Sequence, residues 1–247
     1  MTGLSNQAAL RLRLAPGLVV LSLLAACAAP RAGVDFEGKL DVLGPTPDLV
    51  AAGLPGDWVS QGRAGPGQAR VVERDGVPAL RLVSGGGGFI VARRLDATLL
   101  MSPYLSWSWN MENHGEGLHP VRLIVGFHGG HPDSAGRDRA ALAWLGAALP
   151  LHDRSFAIAW ADSALRRGSV LKPEGAEGPR APLYIARGGR ENANTWWLET
   201  LDLERIYREL WPGDDTSRAR VVFVGLAVTP ATGEAPAAFV SGIRLSR

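Results

Sequence analysis

The sequence predicts a mainly all-β fold, an antiparallel and jelly-roll-like β-sandwich with two short helices. Residues 104–110 alternate strictly between apolar and polar side chains. This alternation places Leu105, Trp107 and Trp109 on one face of a strand. Residues 221–228 are apolar throughout, as expected of a central strand covered on both faces. About ten short strand patterns, separated by Gly, Pro and Asp and without regular helical alternation, indicate a sandwich.

The other elements have local signals of their own. Asp75 and Gly76 stand between two alternating runs and predict the turn of a hairpin over residues 70–82. Asp202 is suited to cap a helix over residues 202–210, which Pro212 ends. The remaining predicted elements are strands over residues 89–95, 121–127, 155–161, 183–186 and 239–245 and a helix over residues 137–149.

The beginning of the chain has the organisation of a bacterial lipoprotein signal. Arg11 and Arg13 precede a short apolar run, and small residues stand directly before Cys27, the only cysteine. The alternatives are an ordinary signal peptide with a chance cysteine, or a transmembrane helix. The apolar run of about 13 residues is shorter than the roughly 20 that span a bilayer. We therefore expect Cys27 to be lipidated and to anchor the protein in a membrane.

This interpretation divides the chain. We expect residues 1–26 to be the signal peptide, 27–33 a lipidated tether and 34–247 a single β-sandwich domain. Ala28 follows the cysteine, where an Asp would favour retention in the inner membrane. The expected location is therefore the cell envelope, on the outer membrane and facing the periplasm.

Charge and motif content exclude several functions. The 26 basic residues include Arg11 and Arg13, so the part from Cys27 onward carries 24 basic and 24 acidic residues, which argues against nucleic acid as a partner. The sequence contains no Gly-x-Ser-x-Gly motif, and its loop acids match no glycosidase signature. His128, His131 and Asp133 could offer ligands to a metal, but their spacing matches no known site. We expect no catalytic residue, metal or cofactor.

Two groups of residues are candidates for ligand binding. His128 and His131 follow a strand that carries Arg122, and together they could form the polar rim of a ligand cleft. Trp196 and Trp197 are adjacent, so on a strand they must point to opposite faces. One of them is then available to stack on a sugar ring, unless it lies under the helix that follows.

Segments along nearly the whole chain after Cys27 resemble an uncharacterised bacterial family, domain of unknown function family 3047. Residues 103–109 resemble its P-x-L-x-W-x-W strand, and residues 121–127 resemble a strand with Arg second and Phe last. Residues 197–211 and 224–233 resemble two later segments. The resemblance implies a jelly-roll-like envelope protein akin to carbohydrate-binding modules, with Arg122 retained. His128 and His131 stand where the family tends to carry Asp, and Thr229–Thr232 replaces an Asp-Thr-Asp turn.

Three functions follow from these observations. The first is a non-catalytic module that binds a glycan or another envelope ligand through Arg122, His128 and His131, with Trp196 or Trp197. The second is a structural or assembly subunit of an envelope complex. The third is a carbohydrate-active enzyme, which requires two carboxylates that converge in one cleft.

Overall fold

The computed structural model describes residues 30–45, 47, 54–62, 64–132, 149–172, 181–230 and 235–247. Within these ranges the chain forms fourteen strands and one α-helix. The elements are β1 (Ala32–Gly33), β2 (Leu40–Leu43), β3 (Trp58–Gly62), β4 (Ala69–Arg74), β5 (Val77–Val83), β6 (Phe89–Thr98), β7 (Tyr104–Met111), β8 (Val121–His128), β9 (Arg154–Ala161), β10 (Val170–Leu171), β11 (Leu183–Gly188), β12 (Trp196–Asp202), α1 (Leu203–Leu210), β13 (Arg220–Val228) and β14 (Ala237–Ser246).

The strands form two sheets that enclose one core. The larger sheet has the order β1-β6-β13-β8-β9-β11-β10, with β3 also paired to β6. The smaller has the order β12-β7-β14-β5-β4, with β2 also paired to β14. Between them, Trp107, Trp109 and Trp160 are fully buried and meet edge to face. Such aromatic pairs add to the stabilisation that comes from burial alone. The prediction of a mainly β, two-sheet fold is confirmed.

Strands whose sequence pattern lies in neighbouring residues were predicted correctly. Leu105, Trp107 and Trp109 are buried together on β7. Strand β13 lies between β6 and β8, and its residues from Val221 to Val228 are buried on both faces. On the outer face, the Phe223 ring lies where a Cβ on Gly126 would be, 2.0 Å from its nearest ring carbon. A glycine at position 126 therefore leaves the space that this ring occupies.

The expectation of a purely antiparallel sheet with two helices needs correction. Strands β1 and β6 are parallel, and so are β9 and β11. The chain reaches β11 from β9 through a 3-10 turn at Ala164–Arg166 and through β10, which pairs antiparallel with β11. Because β10 reverses the chain once more, β11 runs in the direction of β9. The described ranges hold one α-helix, and residues 137–148 of the other predicted helix lie outside them.

The hairpin and the helix have the turn and cap that the sequence predicts. Asp75 (φ 53°) and Gly76 (φ 77°) both have positive φ, which a two-residue turn of this kind requires. The Asp202 side chain accepts a hydrogen bond from the Arg205 backbone N–H (2.9 Å) at the start of α1. Among the described residues, no helix combines the length and the hydropathy needed to span a bilayer.

Strand β7 defines two ends of the sandwich. We call the end where β7 begins the helix end, because the backbone N–H of Leu203, at the start of α1, donates to the Pro103 carbonyl there (2.7 Å). The opposite end, where β7 finishes at Met111 and β8 begins at Val121, is the loop end. The eight residues of β7 span about 24 Å at roughly 3.4 Å per residue.

Candidate functional site

A pocket of about 490 Å³ opens at the loop end. Its wall comes from three segments that are distant in sequence: the loop after β7, the loop between β11 and β12, and the residues before β14. The volume lies in the range of ordinary small-ligand sites. The residues that line it are Glu112, Asn113, His114, Gly115, Arg190, Ala235 and Pro236.

The loop after β7 is fastened at both ends. Glu112 and Ala237 exchange two hydrogen bonds, from the Glu112 backbone N–H to the Ala237 carbonyl (2.9 Å) and from the Ala237 N–H to Glu112 Oε2 (2.9 Å). Gly117 and Asp162 also exchange two hydrogen bonds. The Asp162 backbone N–H donates to the Gly117 carbonyl (2.9 Å), and the Gly117 N–H donates to Asp162 Oδ2 (2.7 Å). These bonds fix the wall before a ligand binds, which lowers the entropic cost of binding.

Two neutral imidazoles lie at this wall. His119 is fully buried, and its Nδ1 accepts a hydrogen bond from the Val121 backbone N–H (3.1 Å). Burial is the main cause that lowers the pKa of His119 to about 3, and the nearby His114 and Arg122 contribute in the same direction. Burial also lowers the pKa of His114, whose ring stands perpendicular to that of His119 at 5.3 Å. Both rings are therefore uncharged near pH 7.

The pocket presents polar groups that are open to a ligand. Among the described residues, neither the Asn113 amide nor the Arg190 guanidinium has a hydrogen bond or ion pair. Glu112 lines the pocket and uses Oε2 for the Ala237 N–H, while its Oε1 has no hydrogen bond within the described part of the chain. The set offers both donors and acceptors, which is what a hydroxyl-rich ligand requires.

Arg122 lies at the start of β8, next to the loop end. It stands in a cross-strand row on the outer face of the larger sheet with Ala227, Ile90 and Gln61. Burial lowers its pKa, and its Nε has no hydrogen-bond partner in the described part of the chain. Its charge acts on His119, but Arg122 is not among the residues that line the pocket.

His128 and His131 lie at the opposite, helix end. His128 is six residues beyond Arg122 on the same strand, a separation of about 20 Å. Its Nδ1 is 3.4 Å from Asp153 Oδ2, and this oxygen accepts a hydrogen bond from the Gly129 N–H (2.8 Å). The backbone N–H of Asp215 donates to the Gly130 carbonyl (2.9 Å). The loop that contains His128 and His131 is thus hydrogen-bonded to Asp153 on one side and to Asp215 on the other.

A buried carboxylate organises this helix end. Asp214 accepts from Arg154 Nε (2.8 Å) and Nη2 (3.0 Å) and from the Tyr207 hydroxyl (2.9 Å). Burial alone would raise the pKa of Asp214, but the hydrogen bonds from Arg154 and Tyr207 outweigh it and hold that pKa below its usual value. Burial and the bond to Asp214 raise the pKa of Tyr207. The arrangement stabilises the fold, and it lies at the far end from the pocket.

The two tryptophans point to opposite faces of β12, as the sequence predicts. Trp196 lies under the β4–β5 hairpin, where its Nε1 donates to the Arg74 carbonyl (3.1 Å). Trp197 Nε1 donates to the Asn192 carbonyl (2.9 Å), and the Arg187 guanidinium lies 3.7 Å from the centre of a Trp197 ring. Both rings are half-buried and have partners within the protein.

The predicted ligand-binding residues therefore do not share one cavity. The structure instead brings together Glu112, His114 and Arg190, which sequence reasoning did not group. The polar triplet of residues 112–114 directly after an alternating strand was a usable signal, whereas nothing in the sequence marks Arg190. Among the described residues, no group of three or more His, Cys, Asp or Glu side chains is placed to hold a metal. Cys27 and Asp133 lie outside the described residues.

Comparisons with known proteins give only distant likenesses. No family model matches the chain, and no curated protein matches it. A family 11 carbohydrate-binding module from Clostridium thermocellum, in complex with a β-1,3-1,4-mixed-linked tetrasaccharide, is 8% identical with a TM-score of 0.39, covering 84% of this chain and 95% of the module. A family 12 xyloglucanase from Bacillus licheniformis is 11% identical with a TM-score of 0.37, covering 88% of this chain and 97% of the enzyme. Likenesses at this level carry no argument about what this chain binds.

Proposed function

We propose that this protein is a lipoprotein of the bacterial cell envelope whose jelly-roll-like sandwich binds a glycan in the pocket at the loop end. The observation that carries the proposal is the convergence of Glu112, Asn113 and Arg190 on a pocket of about 490 Å³. Sugar hydroxyls both donate and accept hydrogen bonds, and these planar side chains supply both kinds of partner. The proposal includes membership of domain of unknown function family 3047 and binding without catalysis.

The position of the acids supports binding rather than hydrolysis. Glu112 is the one carboxylate among the described residues that line the pocket. Glycoside hydrolysis usually needs a second carboxyl group within roughly 5–9.5 Å across the scissile bond. Asp214 lies at the helix end and is held by Arg154 and Tyr207. It therefore cannot act as the partner of Glu112.

The lipidation part of the proposal predicts that Cys27→Ser abolishes attachment of the lipid. The thiol is the acceptor of the lipid, and the serine variant has no such acceptor. We expect the mass of the native protein, isolated from the membrane fraction, to include one diacylglyceryl group and the mass of the variant to lack it. A native protein that carries no lipid, or a variant that carries one, would contradict lipidation.

The binding part of the proposal predicts a selective loss in Arg190→Ala. A hydrogen bond from a charged donor contributes about 1.5–3 kcal/mol, so we expect affinity to fall by at least about tenfold. The measurement is binding of the purified full-length protein to a glycan array and to isolated peptidoglycan. Arg205→Ala is the matched control, because Arg205 is an exposed arginine of α1 at the helix end. An equal loss in both variants, or no binding to any glycan, would contradict the proposal.

One observation favours the alternative of an assembly subunit. Leu198 is 72% exposed on β12, which is the edge strand of the smaller sheet. An exposed apolar residue on an edge strand is a common feature of strand-mediated association. Co-purification of a stoichiometric partner from solubilised membranes by the native protein but not by Leu198→Lys would support this function instead.

A further inference from the structure

Exposed apolar side chains are concentrated at the helix end. Of the nine large apolar residues that are exposed in the described part of the chain, six lie there. Leu151, just before β9, is one of them, and we call the other five the apolar end patch. Single exposed apolar residues are normal on a protein surface, but a group of them marks an interaction site. The members of the patch are Val34, Phe36 (95% exposed), Leu100, Met101 and Tyr104.

Strand pairing brings the members of the patch to the same end. Strand β1 is parallel to β6 and pairs Gly33 with Asp96, so the chain after β1 runs towards the turn at Leu99–Met101. The chain then reverses and enters β2, which pairs Leu40 with Leu245 of β14. On the other side of β14, Ser246 pairs with Tyr104. The turn that carries Phe36, the turn at Leu99–Met101 and the start of β7 therefore lie at the same end of the sandwich.

The short tether restricts where a lipid on Cys27 can lie. From Cys27 to Ala32 there are five residue steps, which reach at most about 18 Å. Ala32 pairs with Leu95, four residues before Leu99, a distance of about 13 Å along β6. Ala32 is thus nearer to the patch than to the loop end. The tether falls short of the loop end, because Leu95 is six residues, about 20 Å, from Phe89, where β6 begins.

We propose that the helix end rests on the bilayer, with the apolar end patch in the lipid interface and the pocket directed away from the membrane. This orientation rests on the proposed lipidation of Cys27. Four ion pairs join opposite charges at this end, and we expect the contact to be apolar rather than an attraction to anionic headgroups. The ion pairs are Lys39–Glu37 (2.8 Å), Arg220–Asp96 (2.6 Å), Arg244–Asp41 (2.5 Å) and Arg208–Glu204 (2.5 Å).

The chain offers a matched set of positions for a test. Lipidation consumes the only native thiol, so a cysteine introduced elsewhere is the single free thiol of the mature protein. Phe36→Cys and Met101→Cys report on the patch. Leu165→Cys is the control, because Leu165 is 96% exposed, as Phe36 is, but follows β9 at the loop end. Each variant is purified in its lipidated, full-length form, labelled with a fluorophore, and reconstituted into vesicles of phosphatidylethanolamine and phosphatidylglycerol.

We expect spin-labelled lipid to quench the labels at positions 36 and 101 several-fold more than the label at 165, with no dependence on salt. Water-soluble quencher should show the reverse order. Equal quenching at the three positions of a protein whose mass includes the lipid would overturn the orientation and leave lipidation intact. A protein whose mass lacks the lipid would overturn the proposed lipidation and the orientation with it.

Discussion

Replacing Asp214 with alanine is expected to lower the free energy of unfolding by about 3 kcal/mol, since removing one partner of a buried ion pair is strongly destabilising. The Asp214 side chain is only 3% exposed, and it accepts two hydrogen bonds from Arg154 and one from the Tyr207 hydroxyl. The change would leave that hydroxyl without its acceptor in a buried position. Urea denaturation followed by tryptophan fluorescence measures the loss.

The neighbouring aspartate provides a control for this prediction. Asp215 is exposed, and its carboxylate accepts hydrogen bonds from the Ser217 backbone N–H (2.9 Å) and hydroxyl (2.6 Å). Asp215→Ala should therefore destabilise the protein far less than Asp214→Ala. Because the folded-state pKa of Asp214 lies below 3.8, its contribution is present above that value and is lost as the pH falls through the folded pKa. Equal losses in the two variants would show that Asp214 does not organise the helix end.

Acidification should destabilise the protein through His119 before the carboxylates titrate. The pKa of His119 is about 3 in the folded chain, against 6.5 for an unperturbed histidine, so below pH 6.5 the unfolded state binds a proton that the folded state does not. Stability is therefore complete above pH 6.5 and falls as the pH decreases towards 3. Between pH 7 and pH 5 the loss amounts to about 2 kcal/mol.

His119→Asn isolates this effect. The asparagine side-chain oxygen can take the place of Nδ1 as acceptor for the Val121 N–H and does not titrate. We expect the difference in unfolding free energy between pH 7 and pH 5 to be smaller by about 2 kcal/mol in the variant than in the native protein. An unchanged pH dependence in His119→Asn would mean that the buried imidazole is not the group responsible.

Local patterns were sufficient to predict most of the architecture. The alternation of β7, the apolar run of β13, the Asp75 and Gly76 turn and the Asp202 cap each depend on residues that are neighbours in sequence, and each has its predicted form. The parallel pairs were not predictable in the same way. Strands β1 and β10 have two residues each, which is too few to show a period.

The pocket was not predictable for a different reason. Glu112, Arg190 and Pro236 come from three loops and meet only because β7, β12 and β14 are neighbours in the smaller sheet. Conversely, Arg122 and His128 share a face of β8, as alternation requires, yet lie at its two ends. Periodicity identifies the face on which a side chain lies. Periodicity does not indicate the position along the strand at which a binding site lies.

The length of β7 has a consequence for the range of ligands that the protein can meet. In the proposed orientation the strand acts as a spacer of about 24 Å between the membrane contact and the pocket. An anchored protein then samples a thin layer at constant height above the lipid, in which its effective concentration is high. Polymers that occupy this layer would be captured at modest intrinsic affinity. Glycans held close against the headgroups would be out of reach.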